Sequence, residues 1–256
     1  MNVLSNKQIK LISSLQKKKY RDQHQLFIAE GDKLVMDLLH AKTEAAYLIY
    51  TKDWRNLSNP LKKYKIEKRI EVESNQLKKI SNLKNPSPIL GVFHIPKFKI
   101  QDDIIQNSLS LLIDDIQDPG NLGTIIRIAD WFGIQNVFCS PNTVDLFNPK
   151  VIQATMGAIS RIKISYTPLG DLIKKHQKEN FPIYGTFLEG EIIYKSDLRN
   201  KGFIIMGNEG KGISPELQQL VSKKLFIPNY PANQATSESL NVSVACSIIC
   251  SEFRRR

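Results

Sequence analysis

The sequence predicts an α/β protein whose carboxyl-terminal part is a mostly parallel sheet flanked by helices, preceded by a smaller α/β domain. Three observations predict it. Short apolar runs of strand length, such as Leu109 to Ile113 and Phe203-Ile204-Ile205-Met206, are uninterrupted rather than alternating, as in strands buried on both faces. Between such runs lie stretches with helical apolar spacing, and strand–helix alternation favours parallel pairing. Charge also divides the chain. Residues 1–99 hold 20 Lys+Arg against 9 Asp+Glu, whereas residues 100–256 hold 16 of each, so the formal +11 lies in the first 99 residues. Two parts so different in charge point to two different jobs.

Element by element, Ile9, Ile12 and Leu15 recur at helical spacing in a lysine-rich stretch ending near Lys19-Tyr20-Arg21. Phe27-Ile28-Ala29-Glu30-Gly31 reads as a strand and a glycine turn. Asp32 then stands where it would cap a helix with a Leu34, Val35, Leu38, Leu39 stripe. Residues 46–50 are strand-like, 76–83 form a short amphipathic helix, and 89–93 a strand. A first domain thus covers residues 1–96. Residues 97–108 are polar, lose the apolar period and read as a linker. The second domain, 109–256, adds strands at Val137-Phe138-Cys139, Ile162-Lys163-Ile164, Ile183-Tyr184-Gly185-Thr186, Gly202 to Met206 and Lys224-Leu225-Phe226-Ile227. Its helices are expected over 122–132, 148–159, 169–178 and 215–221.

Composition narrows the function classes. No apolar run reaches the ~18 residues of a spanning helix and no lipidation motif is visible, so no membrane partner is expected. Residues 1–20 lack the apolar core of a signal peptide and carry lysines throughout. Cys139, Cys246 and Cys250 are too few, and odd in number, for a disulfide framework. They fit a cytoplasmic protein with reduced, core-filling cysteines. His24, His40, His94 and His176 form no metal-ligand spacing, and no metal is expected. The basic first domain points to a polyanion, nucleic acid ahead of a membrane, because displacing condensed counterions drives such binding. The plain alternative is that the lysines only keep the surface soluble.

Three short segments carry the chemistry, and the first two follow buried-strand runs, where an α/β sheet binds ligands. In the first, Leu111-Leu112-Ile113 leads through Asp114-Asp115 into Asp118-Pro119-Gly120-Asn121-Leu122-Gly123. Asn121 stands where a helix would begin and is either an N-cap or a functional amide. Arg127, within Ile125, Ile126, Ile128, Ala129, Trp131 and Phe132, must be ion-paired or face a cleft. In the second, Gly207-Asn208-Glu209-Gly210-Lys211-Gly212-Ile213-Ser214 follows Met206. Its glycines allow a backbone path closed to other residues, including close approach to a ligand. The spacing fits neither a phosphate loop nor the dinucleotide fingerprint. Glu209 is a functional acceptor or a solvated loop residue, and Ser214-Pro215-Glu216 looks like a helix start. In the third, Ser239 or Asn241 caps a terminal helix with a Val242, Ala245, Cys246, Ile249, Phe253 face. Arg254-Arg255-Arg256 then reads as a solvated helix end, where cations suit the dipole.

Taken together, Asn121 to Arg127 with Phe132-Gly133, Gly207 to Ser214, and Ile227-Pro228 with Ser239-Leu240-Asn241-Val242-Ser243 resemble the three ordered motifs of the SpoU (TrmH-type) RNA ribose 2′-O-methyltransferases of the SPOUT class. Residues 1–95 resemble the small ribosomal-protein-like substrate-binding domain often fused ahead of that catalytic domain, through Lys19-Tyr20-Arg21 and Phe27 to Gly31. The resemblance implies a deep trefoil knot in the carboxyl-terminal part, a homodimer formed through that domain, and S-adenosylmethionine as cofactor. Met206, Gly207, Ile227, Leu240 and Asn241 would bind the cofactor. Arg127 would stand at the 2′-hydroxyl, with Asn121, Glu209, Ser239 and Asn241 completing the catalytic set. A guanidinium with a pKa above ~12 is an awkward base, so Arg127 is either the deprotonating residue or a clamp on phosphate and developing alkoxide. One stretch departs from the family's pattern. Between Pro228 and Ser239 the usual methionine and glycine are missing, and Tyr230 is placed to pack where the methionine would.

The leading expectation is therefore a methyltransferase acting on a ribose 2′-hydroxyl of RNA, with ribosomal RNA favoured over transfer RNA because of the appended domain. A non-catalytic RNA-binding or ribosome-assembly factor with the same fold is the alternative. A small-molecule enzyme would leave both the charge division and the motif order unexplained.

Overall fold

The computed structural model describes residues 4–56, 61–96, 101–177, 181–231 and 237–255. In chain order its helices and strands begin with α1 (Asn6–Ser14), α2 (Lys18–His24), β1 (Leu26–Glu30), α3 (Asp32–His40), β2 (Ala45–Tyr50) and α4 (Lys52–Asn56). Next come β3 (Ile66–Glu71), α5 (Ser74–Lys78), β4 (Ile89–His94), α6 (Asp102–Asn107), β5 (Leu109–Ile113) and α7 (Pro119–Trp131). They continue with β6 (Asn136–Cys139), α8 (Pro149–Thr155), β7 (Lys163–Tyr166), α9 (Leu169–His176), β8 (Ile183–Phe187) and β9 (Glu191–Ile192). The last are β10 (Gly202–Met206), α10 (Pro215–Gln218), β11 (Lys223–Phe226) and α11 (Val242–Arg255). None of these helices is long and apolar enough to cross a membrane.

The elements group into two compact units, one of residues 1–97 with 145–161, the other of 98–144 with 162–256. This differs from a single break near residue 97 in one respect. The segment 145–161, α8 included, lies inside the stretch read as the second domain but packs with the first unit. The segment read as a linker also carries structure, since α6 spans 102–107 and buries Ile105; residues 97–100 lie outside the described residues.

The first unit holds a sheet of order β1-β4-β2-β3, antiparallel where β4 meets β1 and β2, and parallel between β2 and β3. The single helix read at the amino terminus is two, because Lys17 is extended between α1 and α2. The α1 helix opens with a capping box formed by Ser5 and Gln8. Ile12 and Leu15 pack with Ile28, Ile49, Ile70, Leu77, Leu90 and Val92 in one core. Asp32 does not cap α3. Gly31, at φ 104, takes the N-cap position, and the Asp32 carboxylate accepts from Trp54 Nε1 at 2.7 Å. A Cβ there would meet open space, so it is the positive φ that selects glycine. Buried Glu30 is satisfied by Ser81 Oγ and by the Asn82 amide at 2.8 Å.

The second unit is a seven-stranded sheet of order β7-β6-β5-β10-β8-β11-β9, and all six pairings are parallel. Every residue of β5 and β10 is buried, as their unbroken apolar runs predict. One face is covered by Leu172, Ile173, Ile213 and Leu217 packing on Leu112, Phe138, Phe203 and Ile205. α7 and α11 pack against each other, and they bury Ile125, Ile126, Ala129, Cys246, Ile249 and Phe253. The terminal arginines are not simply a solvated end. Arg254 donates to the Phe132 carbonyl at 2.7 Å and the Gly133 carbonyl at 3.2 Å, capping the carboxyl end of α7, while Arg255 forks onto Glu252 at 2.8 Å. Arg256 lies outside the described residues.

In the first unit one buried ion pair fixes the 145–161 segment. The Arg21 guanidinium, 3% exposed, donates to the carbonyls of Leu15 and Gln16 at 2.8 Å and through Nε to Asp145 at 3.0 Å. Removing the carboxylate strands a buried cation. Asp145→Ala is therefore expected to lower unfolding stability by about 3 kcal/mol, read in urea from the emission of buried Trp54.

Candidate functional site

The site grows from the pairing of β10 with β5. Met206 stands opposite Ile113, so the turns after the two strands leave the sheet side by side at its carboxyl edge. The strand order reverses direction in sequence at this point, with β6 and β7 on one side of β5 and β10 on the other. A crevice at such a reversal is where open α/β sheets bind ligands.

The two turns are tied to each other. The Asp114 amide donates to the Met206 carbonyl at 2.9 Å, and the Ser214 amide to the buried Asp114 carboxylate at 2.7 Å. Asn208 Nδ2 donates to the Asp115 carbonyl at 2.7 Å, and the Asp115 amide to Ser140 Oγ at 2.9 Å. Asp115 itself sits at φ 57, a left-handed conformation that Asp tolerates better than most residues. Within the second turn, Asn208 and Gly212 exchange amide-to-carbonyl bonds at 2.9 Å each. This closure explains the glycines individually. A Cβ on Gly207 would lie 2.4 Å from the Gly212 carbonyl carbon and the Ile213 nitrogen. Gly212 needs φ 71, while Gly210 has room for a methyl group. Gly207 is thus small for its own loop, not only for a ligand.

Three polar side chains from the three segments then meet. Glu209 accepts from the amides of Gln117 at 3.4 Å and Asp118 at 3.3 Å, and from Asn121 Nδ2 at 3.1 Å. Asn121 Oδ1 accepts from Asn241 Nδ2 at 2.9 Å. Asn241 Oδ1 in turn accepts from the Ser243 amide at 3.0 Å and the Val244 amide at 3.3 Å, the first turn of α11. Only one orientation of the amides satisfies this chain. An ionised carboxylate accepts and cannot donate, so Asn121 must turn its NH₂ to Glu209 and its oxygen to Asn241. Asn241 then has only its oxygen left for the helix terminus, which needs an acceptor.

Asn121 is therefore not a cap. The N-cap of α7 is Asp118, whose carboxylate accepts the Asn121 amide at 2.8 Å, with Pro119 at the first helical position. This frees the Asn121 side chain for the site. The Asp118-Pro119 pair was a readable start signal, as were the two acids ending the β5 run. The cap of α11 is Asn241 rather than Ser239, which is exposed and makes no hydrogen bond among the described residues. Arg127 lies about 9 Å further along α7 than Asn121. It is exposed and makes no hydrogen bond or ion pair among the described residues, so the ion-pair reading fails. Met206 is buried, Ile227 follows β11 at the same edge of the sheet with β8 between it and β10, and Leu240 is half exposed. Tyr230, expected to pack in place of a methionine, is 79% exposed. Its ring has no apolar seat. Burial pushes the Cys139 thiol up to about 12, and a shared hydrogen bond with Cys250 together with burial raises Cys246, so neither of these supplies a thiolate nucleophile.

Residues 108–251 match the SpoU rRNA Methylase family, and residues 6–91 match the MRM3-like substrate binding domain. The 23S rRNA (guanosine(2553)-2'-O)-methyltransferase RlmP of Bacillus subtilis is 29% identical over 253 residues, covering 97% of this chain and 96% of that protein. A TrmH-family structure from Porphyromonas gingivalis is 38% identical with a TM-score of 0.88, covering 99% of both chains. The S-adenosylmethionine-bound rRNA methyltransferase from Sinorhizobium meliloti is 29% identical with a TM-score of 0.86, over 100% of this chain and 97% of that one.

The loop geometry separates two glycines that look alike in sequence. Gly207→Ala is expected to cost about 2 kcal/mol of stability through overpacking, and Gly210→Ala almost nothing, as measured by denaturant unfolding of the two variants.

Proposed function

This chain belongs to the SpoU rRNA methylase family, and from that premise we propose that it transfers a methyl group from S-adenosylmethionine to a ribose 2′-hydroxyl of RNA. The observation that carries the reading is the hydrogen-bonded chain Glu209–Asn121–Asn241, which joins all three motif segments at the carboxyl edge of the parallel sheet. The cofactor supplies a methylsulfonium, an electrophile that needs no further activation. The exposed Leu240, whose main chain makes no hydrogen bond among the described residues, offers an amide and a carbonyl suited to an adenine edge. With Met206, Gly207, Ile227 and Asn241 it forms the proposed cofactor site.

The protein's remaining task is to position a poor nucleophile in line and help it lose a proton. Arg127 is the residue assigned to that task. Its guanidinium is exposed and uncommitted, in position to hold a substrate phosphate and the developing alkoxide. Asn121 and Glu209 fix the start of the helix that carries it, and Ser239 stands beside the Asn241 cap. Ribosomal RNA is the favoured substrate, by analogy with RlmP and because the basic 1–96 domain precedes the 109–256 catalytic domain. A homodimer through the carboxyl-terminal domain, a deep trefoil knot there, and a cytoplasmic site of action belong to the same proposal. Half-exposed Leu240 and Val244 beside α7 are apolar surface consistent with such a dimer.

Ribose-methylation mapping of total RNA from cells with and without the gene tests the reading. One 2′-O-methyl mark should vanish on deletion and fail to return with Arg127→Ala. In the purified protein Arg127→Ala should lower kcat about a hundredfold while the calorimetric Kd for S-adenosylmethionine stays near wild type. No lost mark, with RNA binding intact, would leave a non-catalytic RNA-binding factor instead.

A further inference from the structure

In the first unit, the end of β1 opens onto a cavity of about 340 Å³, at the lower end of the range for small-molecule sites. Ile28, Leu83, Pro149 and Ile152 give it apolar walls. Its polar groups are few, and two of them are acceptors set side by side. Glu30, 5% exposed, lines the cavity with a carboxylate that has about four lone-pair positions. Ser81 Oγ, the Asn82 amide and Asn82 Nδ2 fill all but one, which leaves a position on Oε2. Asn82 lines the cavity as well. Its NH₂ is turned to Glu30 at 3.3 Å, so its oxygen, which takes no hydrogen bond among the described residues, is the second acceptor. Gln153 adds a half-buried amide whose side chain makes no hydrogen bond among the described residues. Lys150 at the rim, and Lys84 next to Leu83, are exposed and make no ion pair among them.

Two neighbouring acceptors between apolar walls match a flat group with two neighbouring donors. On the Watson–Crick edge only guanine has that pair, N1–H beside the N2 amino group, with O6 next to them for the Gln153 amide. Adenine and cytosine set an acceptor beside their amino group, and uracil flanks its one donor with two acceptors. A base lacking the donors leaves buried acceptors unpaired, which is a strong ground for rejection. We infer that this cavity takes an unpaired guanine of an RNA strand, read by Glu30 and Asn82, with Lys150 and Lys84 on the neighbouring phosphates. The choice of RNA rests on the methyltransferase reading. It rests also on the two lysines, one on each segment that forms the rim, as a strand with a phosphate on either side of the base requires. Single-stranded loops and bulges are where RNA offers a base in this way. The contact selects the substrate and takes no part in the transfer.

Fluorescence anisotropy of end-labelled oligouridylates of about 12 nucleotides, titrated with the full-length protein, tests the inference. A strand with one central guanosine should bind about tenfold tighter than the all-uridine strand or one with a central adenosine. Inosine, which lacks only the N2 amino group, should lose most of that gain. Asn82→Ala, which removes an exposed side chain, and Glu30→Gln, which turns an acceptor into a donor, should each erase the guanosine preference. Binding of the all-uridine strand should stay near wild type in both, whereas Lys150→Ala should weaken every strand alike. Guanosine 5′-monophosphate should displace the guanosine strand only at concentrations about tenfold above that strand's Kd. Equal binding of all the strands overturns the inference. So does a guanosine preference that survives in Asn82→Ala, whether or not Glu30→Gln folds. Monophosphate binding as tight as the strand's makes the cavity a free-nucleotide site and overturns the assignment to RNA. If wild type methylates no RNA at all, the functional reading fails by itself, and the strand titrations still decide the guanine site.

Discussion

The arrangement of the site depends on one pairing, β10 against β5 in parallel with Met206 opposite Ile113. Parallel strands send both chains out at the same edge, so two turns 93 residues apart in sequence emerge as neighbours. An antiparallel pairing of the same two runs would put Asp114 and Gly207 at opposite ends of the sheet. Burial on both faces holds the register, because no residue of either strand can slip to solvent. Asp114 and Asn208 then lock the turns to each other, with bonds of 2.7 Å to Ser214 and Asp115.

On that frame, the polar groups are ordered by what each can donate or accept. Glu209 accepts only, and this propagates through Asn121 and Asn241 to the amino terminus of α11. A negative charge at one end and a helix terminus rich in free N–H groups at the other favour the same direction of hydrogen bonding. The result is a connected polar chain with Arg127 left outside it, exposed and making no hydrogen bond among the described residues. The array also shows why Asp118 and not Asn121 caps α7. Had Asn121 been spent on its own helix, the chain from Glu209 to Asn241 would be broken.

The two units divide the electrostatics. The catalytic sheet unit is built from segments of balanced charge, whereas Lys17, Lys18, Lys19, Lys78, Lys79 and Lys84 of the first unit are exposed and make no ion pair among the described residues. Unpaired cations on a folded surface are the groups that gain most from meeting phosphates. The lysines that do pair, such as Lys65 with Glu44, lie elsewhere on that unit. The charge excess of the chain thus lies in its first 99 residues, and the three motif segments lie in the second unit.

Much of this was legible in the sequence, and the division has a physical cause. Strands such as β5 and β10, the helix start at Ser214-Pro215 and the charge division are fixed by residues a few positions apart, through burial period, turn chemistry and composition. The three motif segments were legible for the same reason. What the sequence alone did not decide is which partner each polar group takes. Asn121 looked like a cap until Asp118 proved to fill that place, Arg254 looked solvated until α7 ended beside it, and residues 145–161 looked like part of the second domain until Asp145 met Arg21. Each of those choices is made between residues that strand register or helix packing brings together from far along the chain. Local propensity carries no record of that register, and so only the tertiary structure settles it.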